Sequence, residues 1–273
     1  MKRTFIDITG LLFKSPVCLS LVYIIGISAF FLIYPTVDIW ASHQFYNESG
    51  VFPATQSVFW NEIRYLNKYI IAWIAILSVA VLLLKLLLPR LKAIVDLRAP
   101  IFLLSTLIIG PGIVVNMILK DNIGRPRPRN IEEFGGSFPF IGVWETSPHC
   151  GANCSFVSGE ASVALWITAL AFLLPKAWRL PVAGLTLTAG LVFSINRVAF
   201  GGHFLSDTLL SWGITFLVIW LMYSLLYRHT PRWAQPDVLD NAFTSAGLWL
   251  QQRVWDVSTL GTRQLRSFSQ KFR

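Results

Sequence analysis

Residues 69–88 read YIIAWIAILSVAVLLLKLLL, a run of twenty residues that contains a single charge, Lys85. A helix needs roughly 20 apolar residues to cross the hydrocarbon core of a bilayer. This run therefore predicts a membrane-spanning helix. Five further segments are apolar over a similar or slightly shorter length, at about 17–36, 100–119, 159–175, 181–200 and 208–227. The sequence predicts an all-α integral membrane bundle of six transmembrane helices.

The composition agrees with a bilayer rather than water as the main solvent. The chain has 273 residues, of which 54% are hydrophobic and 14% charged, whereas a soluble domain carries roughly 25% charged residues. Its net charge is +9, but the basic residues lie between apolar runs instead of along one soluble face. We therefore expect the membrane, and no nucleic acid, as the partner of these charges.

The distribution of Lys and Arg predicts the orientation. With the N-terminus in the cytoplasm, the cytoplasmic segments hold 16 of the 23 basic residues and the outer segments hold seven. Among the outer seven, Arg64 and Lys68 are typical of interface anchors. The other five gather at the outer ends of the third and fifth spans: Lys120, Arg125, Arg127, Arg129 and Arg197. An anion could bind at this face.

Two of the outer segments contain groups suited to phosphate, and each also has a simpler explanation. Residues 120–129, KDNIGRPRPR, place four cations on a backbone stiffened by proline, either to bind phosphate or to reach lipid headgroups. Residues 155–160, SFVSGE, open the fourth span, where backbone N–H groups favour an anion. Ser158 could equally be only a helix cap, with Glu160 in the first turn.

The third outer segment, residues 196–207, reads NRVAFGGHFLSD. His203 stands four residues before Asp207, so a helix starting at the glycine turn would bring the carboxylate to the imidazole. Such pairs also occur by chance. All three segments fall on one membrane face, however, and ionisable groups at membrane depth are usually functional.

These residues resemble the type 2 phosphatidic acid phosphatase (PAP2) superfamily of membrane lipid phosphatases. Lys120, Arg127 and Pro128 match its first motif, and Arg197, His203 and Asp207 match its third, although Asn196 replaces the usual Ser. The middle motif is normally Pro-Ser-Gly-His, and this chain reads Val157-Ser158-Gly159-Glu160. The match covers about 120–207 closely.

The resemblance implies a mechanism without metal or other cofactor. His203 would attack phosphorus to form a phosphohistidine, and Asp207 would orient it. The phosphoryl oxygens would be held by a set of donors, namely Lys120, Arg127, Ser158, Gly159 and Arg197. The family's middle-motif His protonates the leaving group, and Glu160 takes its place. Glu160 could act as a general acid, or be anionic and restrict the enzyme to good leaving groups, or mark a site that only binds.

The expected substrate is a lipid phosphate monoester or pyrophosphate, with lipid A favoured over polyprenyl pyrophosphate and phosphatidylglycerol phosphate. A lipid-to-lipid phosphotransferase and a non-catalytic lipid-phosphate binding or transport protein are the alternatives. We expect a bacterial inner membrane protein with both termini in the cytoplasm and the site facing the periplasm. The phosphatase domain would cover 1–228.

The remaining segments lie outside the predicted site. Residues 229–273 predict a basic amphipathic tail on the cytoplasmic membrane surface, or else a partly disordered one. Cys150 and Cys154 could form a disulfide bond if their loop faces an oxidising compartment, or remain two free thiols.

Overall fold

Helices form the regular structure of the chain. The computed structural model describes the backbone of residues 15–271 and the side chains of residues 15–255. Four of the charges used to predict the orientation lie outside these residues, namely Lys2, Arg3, Lys14 and Arg273. No strand is present in the described range, so the predicted all-α class is confirmed. The helices are α1 (Pro16–Ile33), α2 (Thr36–His43), α3 (Val58–Leu87), α4 (Arg98–Leu107), α5 (Gly159–Trp166), α6 (Ala169–Leu173), α7 (Lys176–Ala199), α8 (Leu205–Tyr223) and α9 (Pro236–Lys271).

Five helical segments, rather than the six predicted, are long and apolar enough to cross a membrane among the described residues: Pro16–Ile33, Val58–Leu87, Arg98–Asn130, Lys176–Ala199 and Leu205–Arg228. The predicted fourth span, 159–175, consists of the short helices α5 and α6, which are separated by Ile167 and Thr168. Most of its residues are buried against protein. An apolar run indicates burial, but it does not distinguish surrounding lipid from surrounding protein.

Two helix boundaries differ from the prediction because a helix continues past its apolar part. The second span begins at Val58 instead of 69, and Ser57 caps it by accepting a hydrogen bond from the Trp60 amide. The fifth begins at Lys176 instead of 181. Residues 176–179, which lie between the predicted fourth and fifth spans, therefore form its first turn, and the connection is Leu174 and Pro175 alone.

The third span changes its winding at Ile108, three residues before Pro111. Helix α4 continues without a break as a π-helix, Ile108–Lys120, and a final turn, Asp121–Ile123. A proline has no N–H to donate to the preceding turn and its ring crowds that turn. The Asn116 side chain donates to the Pro111 carbonyl oxygen at 2.6 Å. The wide helix ends at Lys120, the first of the predicted phosphate ligands.

The alternating direction of the helices brings the polar segments to one end of the bundle. The third span and α7 end there, whereas α3, α5 and α8 begin there. At the other end, the start of α9 docks on the end of α3. Lys85 Nζ lies 3.1 Å from the Asp240 carboxylate, and the Gln251 side chain donates to the Leu87 carbonyl oxygen. The predicted tail is thus helical from Pro236, while its position in the cytoplasm stays a prediction.

We expect the contact between α1 and α8 to tolerate no side chain at Gly213. A Cβ atom there would lie 2.7 Å from both the Ile24 and Tyr23 side chains. Gly213→Ala should destabilise the protein by about 1–3 kcal/mol, since a packed interface must shift. Gly26→Ala on α1 is the control, because its Cβ would meet no atom within 4 Å. Thermal unfolding of the purified protein in detergent measures both, and equal stability of the two variants would contradict the prediction.

Candidate active site

His203 lies in the turn between α7 and α8 and is almost completely buried, with 1% exposure. Its Nδ1 atom lies 2.7 Å from the backbone carbonyl oxygen of Ser155. A carbonyl oxygen can only accept a hydrogen bond, so the Nδ1 atom carries the hydrogen. The Nε2 atom of the neutral ring therefore keeps its lone pair, which is the form that a nucleophile requires.

The surroundings keep this imidazole neutral. Burial lowers the pKa of His203 to about 4, because an imidazolium loses its hydration there. The Asp207 carboxylate opposes this shift, while the positive charges of Arg197 and Lys120 add to it. The pKa is thus below neutral pH, and His203 is unprotonated under physiological conditions.

Asp207 does not contact the imidazole as the i, i+4 spacing predicts. Its Oδ2 atom lies 3.8 Å from His203 Nδ1, which is beyond hydrogen-bonding distance. Instead Oδ2 accepts hydrogen bonds from the Ser155 hydroxyl at 2.5 Å and from the Phe204 amide at 2.9 Å. Ser155 thus connects the two residues, since its hydroxyl donates to Asp207 and its carbonyl accepts from His203.

Arg125, the second cation of the predicted cluster, forms buried ion pairs inside the protein. It is fully buried, and its guanidinium lies 2.7 Å from Asp207 Oδ1 and 2.9 Å from Asp38 Oδ2. Asp38 also accepts hydrogen bonds from the amide and hydroxyl of Ser206. This network joins α2, the residues that follow the helix end at Ile123 and the start of α8.

Arg197 closes α7 and faces the glycine turn. A Cβ atom on Gly202 would lie 2.5 Å from Arg197 Nη2, so the absence of a side chain at 202 admits the guanidinium. Arg197 is 97% buried, with 3% exposure, and its Nε and Nη1 atoms have no hydrogen-bond partner. Buried donors without acceptors are rare in proteins. They are the donors in this site that an anion would satisfy.

Glu160 lies beside Arg197, but Arg64 holds it. The Arg64 guanidinium donates to both carboxylate oxygens, at 2.9–3.3 Å. Arg197 Nε is 3.3 Å from Oε2 without a hydrogen bond. Although burial opposes ionisation, the hydrogen bonds from Arg64 and the charges of both arginines lower the pKa of Glu160 to about 2. The carboxyl group is ionised at neutral pH, which favours the alternative in which Glu160 is anionic, while its role in catalysis stays a prediction.

The other predicted ligands surround the same group of charges. Lys120 is almost buried and interacts electrostatically with Arg127, Glu160 and Arg197. The Arg127 guanidinium donates to the backbone and side-chain oxygens of Asn153. Asn153 belongs to the loop that the disulfide bond between Cys150 and Cys154 closes. Of the two alternatives for these cysteines, the structure has the disulfide.

Ser158 is the N-cap of α5, as the simpler explanation predicts. Its side chain accepts a hydrogen bond from the Ala161 amide at 3.2 Å. Gly159 opens the helix where a Cβ atom would lie 2.5 Å from the Asn116 side chain, so this position has little room for any side chain. Neither contact prevents these residues from donating to an anion, which stays a prediction.

Comparison with known proteins agrees with this geometry. Residues 99–231 match the PAP2 superfamily. The chain is 34% identical over 202 residues to a protein of Francisella tularensis subsp. novicida (strain U112) named lipid A 4'-phosphatase, an alignment that covers 73% of this chain and 90% of the relative. The chain belongs to the PAP2 superfamily. The predicted family and the predicted class of enzyme, a membrane phosphatase, are confirmed.

Two shorter alignments give the same name. Lipid A 4'-phosphatases of Rhizobium leguminosarum and Rhizobium etli are 42% and 40% identical over 109 residues, or 40% of this chain. These alignments cover 47% and 42% of the respective relatives. No solved structure matches the chain significantly.

Two of the three departures from the PAP2 motifs, Glu160 and Asn196, contact α3, and Val157 in place of Pro is the third. Glu160 pairs with Arg64, as described above. Asn196, which replaces the usual Ser, donates to the Trp60 carbonyl oxygen at 2.8 Å. Arg64, interpreted from the sequence as an interface anchor, is therefore part of the site. Its pairing with a residue 96 positions away has no signal in the sequence. The same is true of Asp38, whereas Arg125 and Ser155 lie inside segments that the sequence analysis singled out.

We expect Arg125 to be essential for stability. Arg125→Leu leaves two buried carboxylates without their cation, which should cost about 3–5 kcal/mol. Arg129→Leu is the control, since Arg129 is exposed and only four residues away. The measurement is thermal unfolding in detergent, and a loss equal to that of Arg129→Leu would show that the network does not stabilise the fold.

Proposed function

We propose that the protein removes the 4'-phosphate from lipid A at the outer face of a bacterial inner membrane. The observation that carries the proposal is the state of His203, which is buried, neutral and oriented through Nδ1 by the Ser155 carbonyl, so that Nε2 is the nucleophilic atom. The substrate follows from the Francisella relative, whose alignment covers 90% of its length.

The reaction proceeds in two steps. His203 Nε2 forms a bond to phosphorus, the bond from phosphorus to the sugar oxygen breaks, and the sugar oxygen takes a proton from water. The hydroxide ion left by this proton transfer then attacks the phosphohistidine, which breaks the bond from phosphorus to Nε2, releases inorganic phosphate and restores the free imidazole. Arg197 offers the unpartnered N–H groups for the phosphoryl oxygens. Lys120, Arg127, Ser158 and the Gly159 amide complete the binding set.

Orientation in the membrane is part of the proposal. The site occupies one end of the bundle, and the excess of Lys and Arg belongs to segments at the other end. This distribution supports cytoplasmic termini and a periplasmic site. The disulfide between Cys150 and Cys154 fits the oxidising periplasm. A lipid headgroup in the outer leaflet can then meet His203 directly.

The activity test uses lipid A that carries its 4'-phosphate. The purified protein should release inorganic phosphate, and mass spectrometry should show the loss of the phosphate from the 4' position. His203→Gln should lower the rate by a factor of about 10⁴ or more, because the nucleophile is lost. His149→Gln is the matched control, an exposed histidine in an outer loop. Release by His203→Gln at the wild-type rate would refute the mechanism, and loss of a different phosphate would refute the substrate.

Changing the leaving group of the substrate tests whether Glu160 acts as a proton donor. We expect Glu160→Gln to change kcat by the same factor for a long-chain alkyl phosphate and for the matched nitrophenyl phosphate. A general acid matters mainly for a poor leaving group, and an ionised carboxylate cannot act as one. The measurement is kcat on both substrates in mixed micelles. A loss confined to the alkyl phosphate would identify Glu160 as the general acid after all.

A further inference from the structure

Arg64 and Arg197 are both within reach of one carboxylate, but only Arg64 is hydrogen-bonded to it. Both oxygens of Glu160 accept from Arg64. Arg197 Nε lies 3.3 Å from Oε2 in a geometry that makes no hydrogen bond. The carboxylate is therefore turned towards Arg64, although a second, more deeply buried guanidinium lies beside it.

This arrangement has an energetic consequence for Arg197. A buried N–H group without an acceptor costs about 1–3 kcal/mol, and Arg197 has two such atoms, Nε and Nη1. The nearest anion that could satisfy them is Glu160 itself. If that carboxylate were free to turn, a charge-assisted hydrogen bond to Arg197 would form at the position that a phosphoryl oxygen needs.

The contacts around Glu160 restrict such a movement to its side chain. The Asn67 side chain donates to the Glu160 backbone carbonyl at 3.3 Å, which fixes the start of α5 to α3. The Phe200 ring lies near both guanidinium groups, with its centre 5.9 Å from the Arg64 Cζ atom and 5.6 Å from that of Arg197. With the backbone and both arginines held, the direction of the carboxylate decides which arginine is occupied.

We propose that Arg64 is a positioning residue that holds the Glu160 carboxylate in an orientation that makes no hydrogen bond to Arg197, and so keeps the Arg197 N–H groups open for the phosphoryl group of the substrate. This proposal rests on the proposed function, since it assumes that Arg197 binds phosphate. Without Arg64, Glu160 closes on Arg197 and competes with the substrate. The effect of losing Arg64 should therefore depend on the presence of Glu160.

The test measures binding of inorganic phosphate to the purified full chain by isothermal titration calorimetry, so that it does not depend on turnover. Arg64→Gln should weaken binding about tenfold or more, equivalent to one charge-assisted contact. Adding Glu160→Gln to Arg64→Gln should restore the Kd to within about threefold of wild type, since the competitor is gone. Lys68→Gln is the matched control, an exposed cation one turn along α3 that should leave the Kd unchanged.

A further variant separates the position of the carboxylate from its charge. Arg64→Gln combined with Glu160→Asp keeps the negative charge but shortens the side chain by one methylene, so that it no longer reaches Arg197. Recovery of phosphate binding supports the proposal. No recovery shows that the net charge alone governs affinity, which overturns it. Arg64→Lys, which preserves the charge but not the two-oxygen contact, should give an intermediate Kd and remains informative if Arg64→Gln does not fold.

The remaining outcomes are also decisive. If Arg64→Gln and its combination with Glu160→Gln bind phosphate equally weakly, Arg64 contacts the ligand itself and the proposal is wrong. Wild-type affinity in Arg64→Gln overturns it as well. If the wild-type chain binds phosphate and releases it from lipid A, these failures leave the proposed function intact. If the wild-type chain neither binds phosphate nor releases it from lipid A, the proposed function is wrong, and the role proposed for Arg64 is wrong with it.

Discussion

The site depends on one guanidinium buried between two carboxylates. Arg125 is completely enclosed and contacts Asp38 of α2 and Asp207 of α8. A buried charge is costly unless it is paired and hydrogen-bonded, so the three segments that carry these groups cannot separate without exposing or orphaning a charge. Because Ser155 bonds to Asp207 and His203 bonds to Ser155, the position of the imidazole follows from the position of this ion pair.

The same network explains how Asp207, which makes no hydrogen bond to the imidazole, can still influence the position and charge of His203. Asp207 is occupied by Arg125, Ser155 and the Phe204 amide, so it acts on His203 through the Ser155 backbone and through its charge at 3.8 Å. The carbonyl that accepts from Nδ1 fixes the tautomer, and the neighbouring cations disfavour a second proton. Orientation and ionisation of the imidazole thus have separate causes.

The sequence predicts the parts of this structure that depend on residues close together along the chain. The run at 69–88 is membrane-spanning helix, and the spacing between His203 and Asp207 does place both at one helix start. Prediction from the sequence fails where a structure-determining contact joins residues that are far apart along the chain. Glu160 and Arg64 are 96 positions apart, and Asp38 and Arg125 are 87 apart, so neither pairing leaves a periodic signal. The segment at 159–175 is predicted as one continuous span, because apolarity alone does not reveal that it forms two short helices packed against α7 and α8.

Glu160 and Asn196, two of the three departures from the PAP2 motifs, have a common physical basis. In the middle motif an ionised Glu replaces His, and its negative charge beside the buried Arg197 is paired with the Arg64 cation. In the third motif Asn replaces Ser, and its side chain bonds to the Trp60 carbonyl, one turn before Arg64. The first turns of α3 therefore complete the site in this chain. The two substituted motif residues, Glu160 and Asn196, are thus connected through α3, a helix outside the motifs. The ion pair of Glu160 with Arg64 therefore belongs together with the hydrogen bond that Asn196 makes to α3.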